Sequence, residues 1–157
     1  MNMLKNKFFS LILFFIITFS ASFIGGLTSI SFKEPCYSQL IKSDFNPPDW
    51  IFAPVWTTLY LMMTLAIWFF WHSKNRDTNT VYIYFIHIVF NTTWSIVFFG
   101  LHQIFLALII LMILILLIII LIIRFKRVNF VSYYLMIPYL LWCCYALFLN
   151  FNLYLLN

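Results

Sequence analysis

The feature that most constrains this sequence is an uninterrupted apolar stretch at residues 104–123, where every position is hydrophobic. About 20 residues of α-helix span roughly 30 Å, which is the thickness of the hydrocarbon core of a bilayer. Soluble domains rarely contain such a stretch, because roughly a quarter of their residues are charged. Only 8% are charged here. The sequence therefore predicts a helix that crosses a membrane.

Four other stretches are also long and apolar enough to span a bilayer. Their approximate bounds are 8–31, 50–71, 81–101 and 130–155. We therefore predict an all-α membrane protein, a bundle of five transmembrane helices that forms a single domain over residues 1–157. Residues 32–49 form its one sizeable loop. Residues 100–103 leave room only for a tight turn, so the third and fourth spans are predicted to be antiparallel neighbours.

The basic residues are divided unequally between the two ends of these spans. Seven of them lie at the end that holds the N-terminus: Lys5, Lys7, Lys74, Arg76, Arg124, Lys126 and Arg127. The other two, Lys33 and Lys42, lie in the loop at 32–49. Because basic residues concentrate on the cytoplasmic side of membrane proteins, we predict a cytoplasmic N-terminus and an outer loop at 32–49. A bacterial cell membrane is the favoured location. Anionic lipid explains the net charge of +5 better than nucleic acid does, since no nucleic-acid-binding motif is present.

Charged side chains are absent from all five predicted spans. This excludes a retinal-type Schiff-base lysine and argues against a proton-coupled carrier, which usually uses a buried carboxylate. The sequence also lacks paired carboxylates, a Ser-His-Asp arrangement and a Gly-rich phosphate loop. Its three cysteines have no metal-ligand spacing. We therefore predict no catalytic residue, no metal site and no required cofactor.

Two polar residues in the third span, His87 and Asn91, are four positions apart and share a helix face. The amide of Asn91 needs a partner either on another helix or on a ligand, and the sequence leaves both open. His87 could be an axial haem ligand. Because no second histidine lies at a matching depth, a packed histidine is the favoured interpretation.

The deep aromatic residues fall on the same faces as these polar groups. The faces carry Trp56 and Tyr60 in the second span, His87, Asn91 and Trp94 in the third, and Trp142 and Ala146 in the fifth. If they converge, they enclose an aromatic cavity that opens toward the outer loop and suits a flat, apolar ligand. Composition alone favours the simpler alternative, in which large side chains only pack the helices.

Three stretches carry a family resemblance. They are NPPDWIFAPVWTTLY at 46–60, NTTWSIVFFG at 91–100 and PYLLWCCYALFLN at 138–150. They resemble the PPxWxFxPVWxxLY, NxxWSxxFFG and PYLxWxxxAxxLN motifs of the TspO/MBR family, the translocator proteins also called peripheral-type benzodiazepine receptors. The motifs occur in the family's order, and the likeness covers nearly the whole chain.

The resemblance implies a receptor or sensor that binds porphyrins or haem, along with isoquinoline- or benzodiazepine-like ligands, and it implies transport as a further mode of action. The matching pocket positions are Trp56, Tyr60, Asn91, Trp94, Trp142 and Ala146. Trp56 and Trp142 would stack on the ligand, and Asn91 would donate or accept a directional hydrogen bond. The outer loop, with Phe45, Pro47 and Pro48, would form a lid. The family also implies a homodimer.

The sequence departs from the family pattern at two places. Cys36-Tyr37 and Ser43-Asp44-Phe45 stand where the family often has Trp-Tyr and Pro-Ser-Trp, which weakens the aromatic contacts of the lid. No basic residue follows Tyr154, so sterol binding is a weaker expectation. Two alternative functions stay open. One is light- and oxygen-dependent porphyrin breakdown, for which Trp56 and Trp142 are the candidates because indoles can be oxidised. The other is a membrane scaffold without a tetrapyrrole ligand.

Overall fold

A computed structural model describes residues 6–32, 34, 36–41, 43 and 45–157. Its helices are α1 (Lys7–Phe32), α2 (Cys36–Gln39), α3 (Phe52–Trp71), α4 (Thr78–Ser95), α5 (Ile104–Val128) and α6 (Phe130–Leu156). A 3₁₀ turn at Asp49–Ile51 leads into α3, and a π-helical turn at Ile96–Gly100 extends α4. All except α2 are long and apolar enough to cross a membrane, and the described residues contain no strand. The predicted all-α, five-helix membrane fold is confirmed.

The five long helices form a closed ring. Helix α1 packs against α3 and α4, α3 packs against α6, and α5 packs against both α6 and α4. Helices α4 and α5 are joined by residues 101–103, in which His102 has a positive φ of 56°. The ring of His102 lies 2.9 Å (Nε2 to O) from the carbonyl of Phe32, which holds this turn against the end of α1.

The two halves of the bundle are packed differently. The half away from the outer loop has a solid core, whose fully buried side chains include Met63, Ile67, Phe70, Tyr84, Ile118, Leu121, Phe125, Met136 and Tyr139. Many large apolar side chains, such as Ile16 and Leu141, instead face outward, because lipid rather than water surrounds them. The loop-side half is less completely filled, and it is there that the cavity lies.

The end opposite the outer loop carries the described basic residues. Its helix ends are stabilised by two side chains that accept backbone hydrogen bonds: Asp77 from Thr80 N at 2.8 Å, and Asn129 from Val131 N and Ser132 N at 2.9 and 3.1 Å. Burial raises the pKa of Asp77, but the hydrogen bonds from Thr80 and the nearby Arg124 outweigh it and hold that pKa below its usual value. Lys5, Lys33 and Lys42 lie outside the described residues, and the orientation of the N-terminus stays a prediction.

His72, directly after α3, belongs to the same end of the bundle. Its Nε2 lies 2.8 Å from Ser10 Oγ on α1. Burial lowers the pKa of His72 below its ordinary value, and the positive charges of Lys7 and Arg76 lower it further. The folded protein therefore disfavours a protonated His72.

The outer loop is bound to the far end of α6. Tyr145 Oη donates to the carbonyl of Phe45 at 2.7 Å, and the side chain of Asn157 makes two hydrogen bonds with the backbone of Ile41, at 2.9 and 3.2 Å. The ring of Tyr37 packs on Phe98 and Phe99 at the end of α4. The described part of the loop thus lies across the open end of the bundle.

Candidate ligand-binding cavity

A cavity of about 350 Å³ lies between the loop-side halves of α1, α3, α4 and α6, beneath the outer loop. Small-molecule sites are typically about 300–1,000 Å³ and mostly apolar. The lining residues are Ser22, Gly25, Gly26, Ser29, Ile30, Tyr37, Asn46, Asp49, Phe52, Ala53, Trp56, Thr57, Tyr60, Asn91, Trp94, Ser95, Phe98, Phe99, Ala146, Leu149, Asn150 and Leu153. The cavity can therefore hold an organic ligand of modest size.

One wall of the cavity is made of nearly parallel aromatic rings. The indoles of Trp56 on α3 and Trp94 on α4 are 6.5 Å apart between centroids, with an interplanar angle of 29°. Trp94 stacks on Phe98 at 5.3 Å and 16°, and Trp56 lies 5.7 Å from Tyr60 at 34°. Each of these neighbours is four residues from its tryptophan, which puts both rings on one helix face. Such a wall favours a flat aromatic ligand.

Asn91 also lines the cavity, but its carboxamide is already engaged within the bundle. Its Oδ1 accepts a hydrogen bond from the hydroxyl of Tyr60 on α3. Its Nδ2 donates to Tyr139 Oη on α6 at 2.9 Å. The sequence left open whether Asn91 bonds to another helix or to a ligand. In the structure it makes interhelical hydrogen bonds, which join α4 to α3 and α6. One amide N–H and one carbonyl lone pair of Asn91 are left over for a ligand.

His87 lies one turn further from the loop and does not line the cavity. It is fully buried, and its Nδ1 is 2.8 Å from the carbonyl of Tyr84. Its ring packs against Tyr84 and Tyr139 at 5.0 and 5.6 Å. Nε2 has no hydrogen-bond partner among the described residues. The same part of the chain contains no cluster of three His, Cys, Asp or Glu side chains that could hold a metal. The arrangement is that of a packed core histidine.

The two predicted residues on α6 are placed differently. Ala146 lines the cavity, whereas Trp142 does not. The indole of Trp142 packs edge-on against Phe52 at 5.9 Å and against Tyr145 at 5.6 Å. Phe52 itself lines the cavity, so Trp142 contacts the wall from behind. In this arrangement Phe52 faces the cavity, and Trp142 packs against the other side of that ring.

The three predicted lid residues lie in the loop over the cavity, but none of their side chains lines it. The ring of Phe45 is 65% exposed and packs on Phe148 at 5.6 Å. Pro47 is half-buried and Pro48 is exposed. Among the described loop residues, those that line the cavity are Tyr37, Asn46 and Asp49. Asn46 Nδ2 donates to Tyr37 Oη at 3.2 Å, which links the two parts of the loop.

Sequence reasoning missed the contribution of α1, which supplies five lining residues. The signal that could have found it is a set of small residues in an apolar span, because such residues allow close helix approach. A Cβ at Gly25 would lie 3.0 Å from Ser95 Oγ, so the absent side chain lets α1 approach α4. A Cβ at Gly26 would meet no atom within 4 Å, because Gly26 borders open space.

Sequence reasoning also missed Asn150, which lines the cavity from α6 and is only 2% exposed. Neither its Oδ1 nor its Nδ2 has a hydrogen-bond partner among the described residues. The indole Nε1 of Trp94 is likewise buried and unpartnered. Each unsatisfied buried group costs about 1–3 kcal/mol. The described lining includes the carboxylate of Asp49 and no Lys, Arg or His.

Comparison with known proteins identifies the family to which the chain belongs. The model of the TspO/MBR family matches residues 12–155. The tryptophan-rich protein TspO of Chlorobaculum tepidum is 34% identical over 128 residues, which cover 77% of this chain and 78% of that protein. The tryptophan-rich sensory protein of Cereibacter sphaeroides is 31% identical over 121 residues, or 77% and 76%. The translocator protein of Homo sapiens is 28% identical over 119 residues, or 73% and 70%. With its five apolar helices, the chain is a multi-pass membrane protein that belongs to the TspO/MBR family.

Proposed function

We propose that this protein is a membrane receptor or sensor that binds a porphyrin or haem, and other flat aromatic molecules, in the cavity between α1, α3, α4 and α6. The observation that carries the proposal is the wall of stacked rings formed by Trp56, Trp94 and Phe98. Aromatic side chains bind flat π-systems because their rings bury a large apolar area and stack in an offset arrangement. The names of two relatives, a sensory protein and a translocator protein, agree with a role that begins with ligand binding.

The charge of the cavity indicates how a porphyrin would be oriented. The carboxylates of a porphyrin would find no cation among the described lining residues. Burying an unpaired charge is strongly unfavourable. We therefore expect the macrocycle to lie against the aromatic wall, with its carboxylates outside the cavity. Lys33 and Lys42 of the outer loop are close in sequence to loop residues that line the cavity, and their positive charges are opposite to those of the porphyrin carboxylates.

A receptor or sensor is favoured over a transporter by the packing of the other half of the bundle. There the side chains of Met63, Ile67, Phe70 and Tyr84 are fully buried, and close packing of this kind leaves no path for a large flat molecule. Transport would require that half to open. We further propose a bacterial cell membrane and a cytoplasmic N-terminus, because the described basic side chains lie at the end away from the cavity.

The test is a binding titration with protoporphyrin IX in the dark, using protein in detergent micelles and following porphyrin fluorescence. Gly26 lines the cavity and a Cβ there would meet no atom within 4 Å, so the variant Gly26→Leu places a bulky side chain at the cavity wall. The matched control is Ser20→Leu, an exposed position on the same helix whose hydroxyl bonds only to its own helix, at Ile17 O.

We expect saturable binding by the native protein and by Ser20→Leu, and binding weakened at least about tenfold by Gly26→Leu, a loss of about 1.4 kcal/mol. Equal binding by all three proteins would show that the cavity is not the site. Repeating the titration under light tests the enzymatic alternative. Porphyrin loss that requires the native Trp56 would favour breakdown over simple binding.

A further inference from the structure

The cavity wall contains one polar side chain whose hydrogen-bonding groups are both unused. Asn150 lies on α6, is 2% exposed and borders the cavity. Its carbonyl oxygen and its amide nitrogen are buried without a partner among the described residues. Buried amides in folded proteins are almost always hydrogen-bonded, so an amide left unpaired beside a cavity points to a partner that enters the cavity.

The other carboxamide of the cavity shows the contrast. Asn91 binds Tyr60 and Tyr139 and thereby joins α3, α4 and α6. Its main hydrogen-bonding capacity is therefore used to hold helices together. Asn150 makes no such bond, although it is buried to the same extent. Asn91 therefore uses most of its carboxamide to join helices, whereas Asn150 has both amide groups unpaired among the described residues.

We propose that Asn150 is the residue that selects the polar edge of the ligand, and that this edge is a neutral lactam or cis-amide. A carboxamide presents one acceptor and one donor side by side, and its complement is a group with N–H next to C=O. Such a group forms two parallel hydrogen bonds with Asn150. The unpartnered Nε1 of Trp94 is a donor only, and it adds a second contact for the ligand carbonyl.

Charge excludes the ionised form of the same edge. A carboxylate has two acceptors and no donor, so it would satisfy only the amide nitrogen of Asn150. It would also enter a cavity whose described lining holds no cationic side chain to pair with it. A neutral amide carries no charge into the apolar site. This inference rests on the proposed function in using the same cavity, and it adds the chemical group that the cavity selects.

The experiment compares two probes on the native protein. Quinolin-2(1H)-one is a flat bicyclic lactam, and its N-methyl derivative has the same shape but lacks the N–H donor. Dissociation constants are measured by isothermal titration calorimetry in detergent. We expect the native protein to prefer the lactam by about tenfold, because N-methylation removes one hydrogen bond and leaves Asn150 Oδ1 unpaired.

The variant Asn150→Leu should abolish this preference, because leucine has a similar volume and no polar group. Asn150→Ser is a second variant for the case in which the leucine protein does not fold, and it too should lose the preference. The matched control is Asn152→Leu on the same helix. Asn152 does not line the cavity, and its Nδ2 donates to its own helix at Phe148 O. It should keep the full preference.

Two results would overturn the inference. One is a native protein that binds both probes equally, as it would if a buried water satisfied Asn150. The other is a preference that survives in Asn150→Leu or Asn150→Ser. In either case, binding of protoporphyrin IX that is still blocked by Gly26→Leu would leave the proposed function standing. If Gly26→Leu weakened neither lactam nor porphyrin binding, the cavity would not be the site, and both proposals would fail.

Discussion

Replacing Asn91 by leucine should destabilise the bundle more than replacing any single hydrogen-bonding partner of that residue. The substitution removes two interhelical bonds, one from Tyr60 and one to Tyr139. It leaves two tyrosine hydroxyls without their partner in a region where Tyr60 is 6% and Tyr139 is 0% exposed. Tyr139 is fully buried and does not line the cavity, so the loss includes the desolvation of its hydroxyl as well as the bonds themselves.

Each buried hydroxyl left unpaired costs about 1–3 kcal/mol, and interhelical hydrogen bonds in membrane proteins average about 0.6 kcal/mol. We therefore expect Asn91→Leu to lower the free energy of unfolding by about 2–4 kcal/mol. Unfolding in mixed micelles, titrated with sodium dodecyl sulfate and followed by circular dichroism, measures this quantity. The control Thr93→Val removes a hydroxyl that bonds only to its own helix, at Val89 O, and should change stability by less than about 0.5 kcal/mol.

A triple variant tests the reasoning directly. Adding Tyr60→Phe and Tyr139→Phe to Asn91→Leu removes the orphaned hydroxyls, so stability should recover by about 1–2 kcal/mol relative to Asn91→Leu alone. If the stability losses of the three single substitutions simply added up in the triple variant, the argument that unpaired buried groups dominate the loss in Asn91→Leu would be refuted. So would a loss below about 0.5 kcal/mol for Asn91→Leu, since that result would mean that the triad contributes nothing measurable.

Three further predictions concern packing, capping and pH. Gly25→Val should lower the unfolding free energy by about 1–3 kcal/mol, because the new side chain collides with Ser95 on α4. The control Gly26→Ala should be tolerated. The same micelle titration measures the stability of both variants. Asn129→Ala should cost about 1–2 kcal/mol in that assay, because α6 loses its N-cap. His72→Gln should reduce the loss of thermal stability on acidification below about pH 6.5, measured as the melting temperature in detergent.

The sign of the His72 effect follows from its lowered pKa. The unfolded chain binds a proton at this histidine as the pH falls through about 6.5, while the folded protein binds it only at lower pH. The contribution of His72 to stability is therefore complete above that value and is lost as the pH falls toward the folded pKa. An unchanged acid slope in His72→Gln would contradict this account. If Gly25→Val or Asn129→Ala were as stable as the native protein, that result would contradict the packing or the capping argument, respectively.

The membrane fold could be predicted from the sequence because a bilayer imposes its requirement locally. Each helix must satisfy its own backbone hydrogen bonds and present apolar side chains over about 20 residues, and residues 104–123 meet that condition without reference to any other part of the chain. The aromatic wall was also predictable in part. Helical spacing alone places Trp56 with Tyr60, and Trp94 with Phe98.

What the sequence by itself determined is therefore the number of spans, their class and which residues share a helix face. The tertiary structure decided which faces meet, because that depends on the rotation and approach of each helix against its neighbours. Packing put Trp142 behind Phe52, engaged Asn91 with two tyrosines and brought α1 close through Gly25. The same packing left Asn150 buried beside the cavity with both amide groups unpaired. No periodicity encodes that outcome, since whether a buried polar group finds a partner is set by atoms that lie far away along the chain.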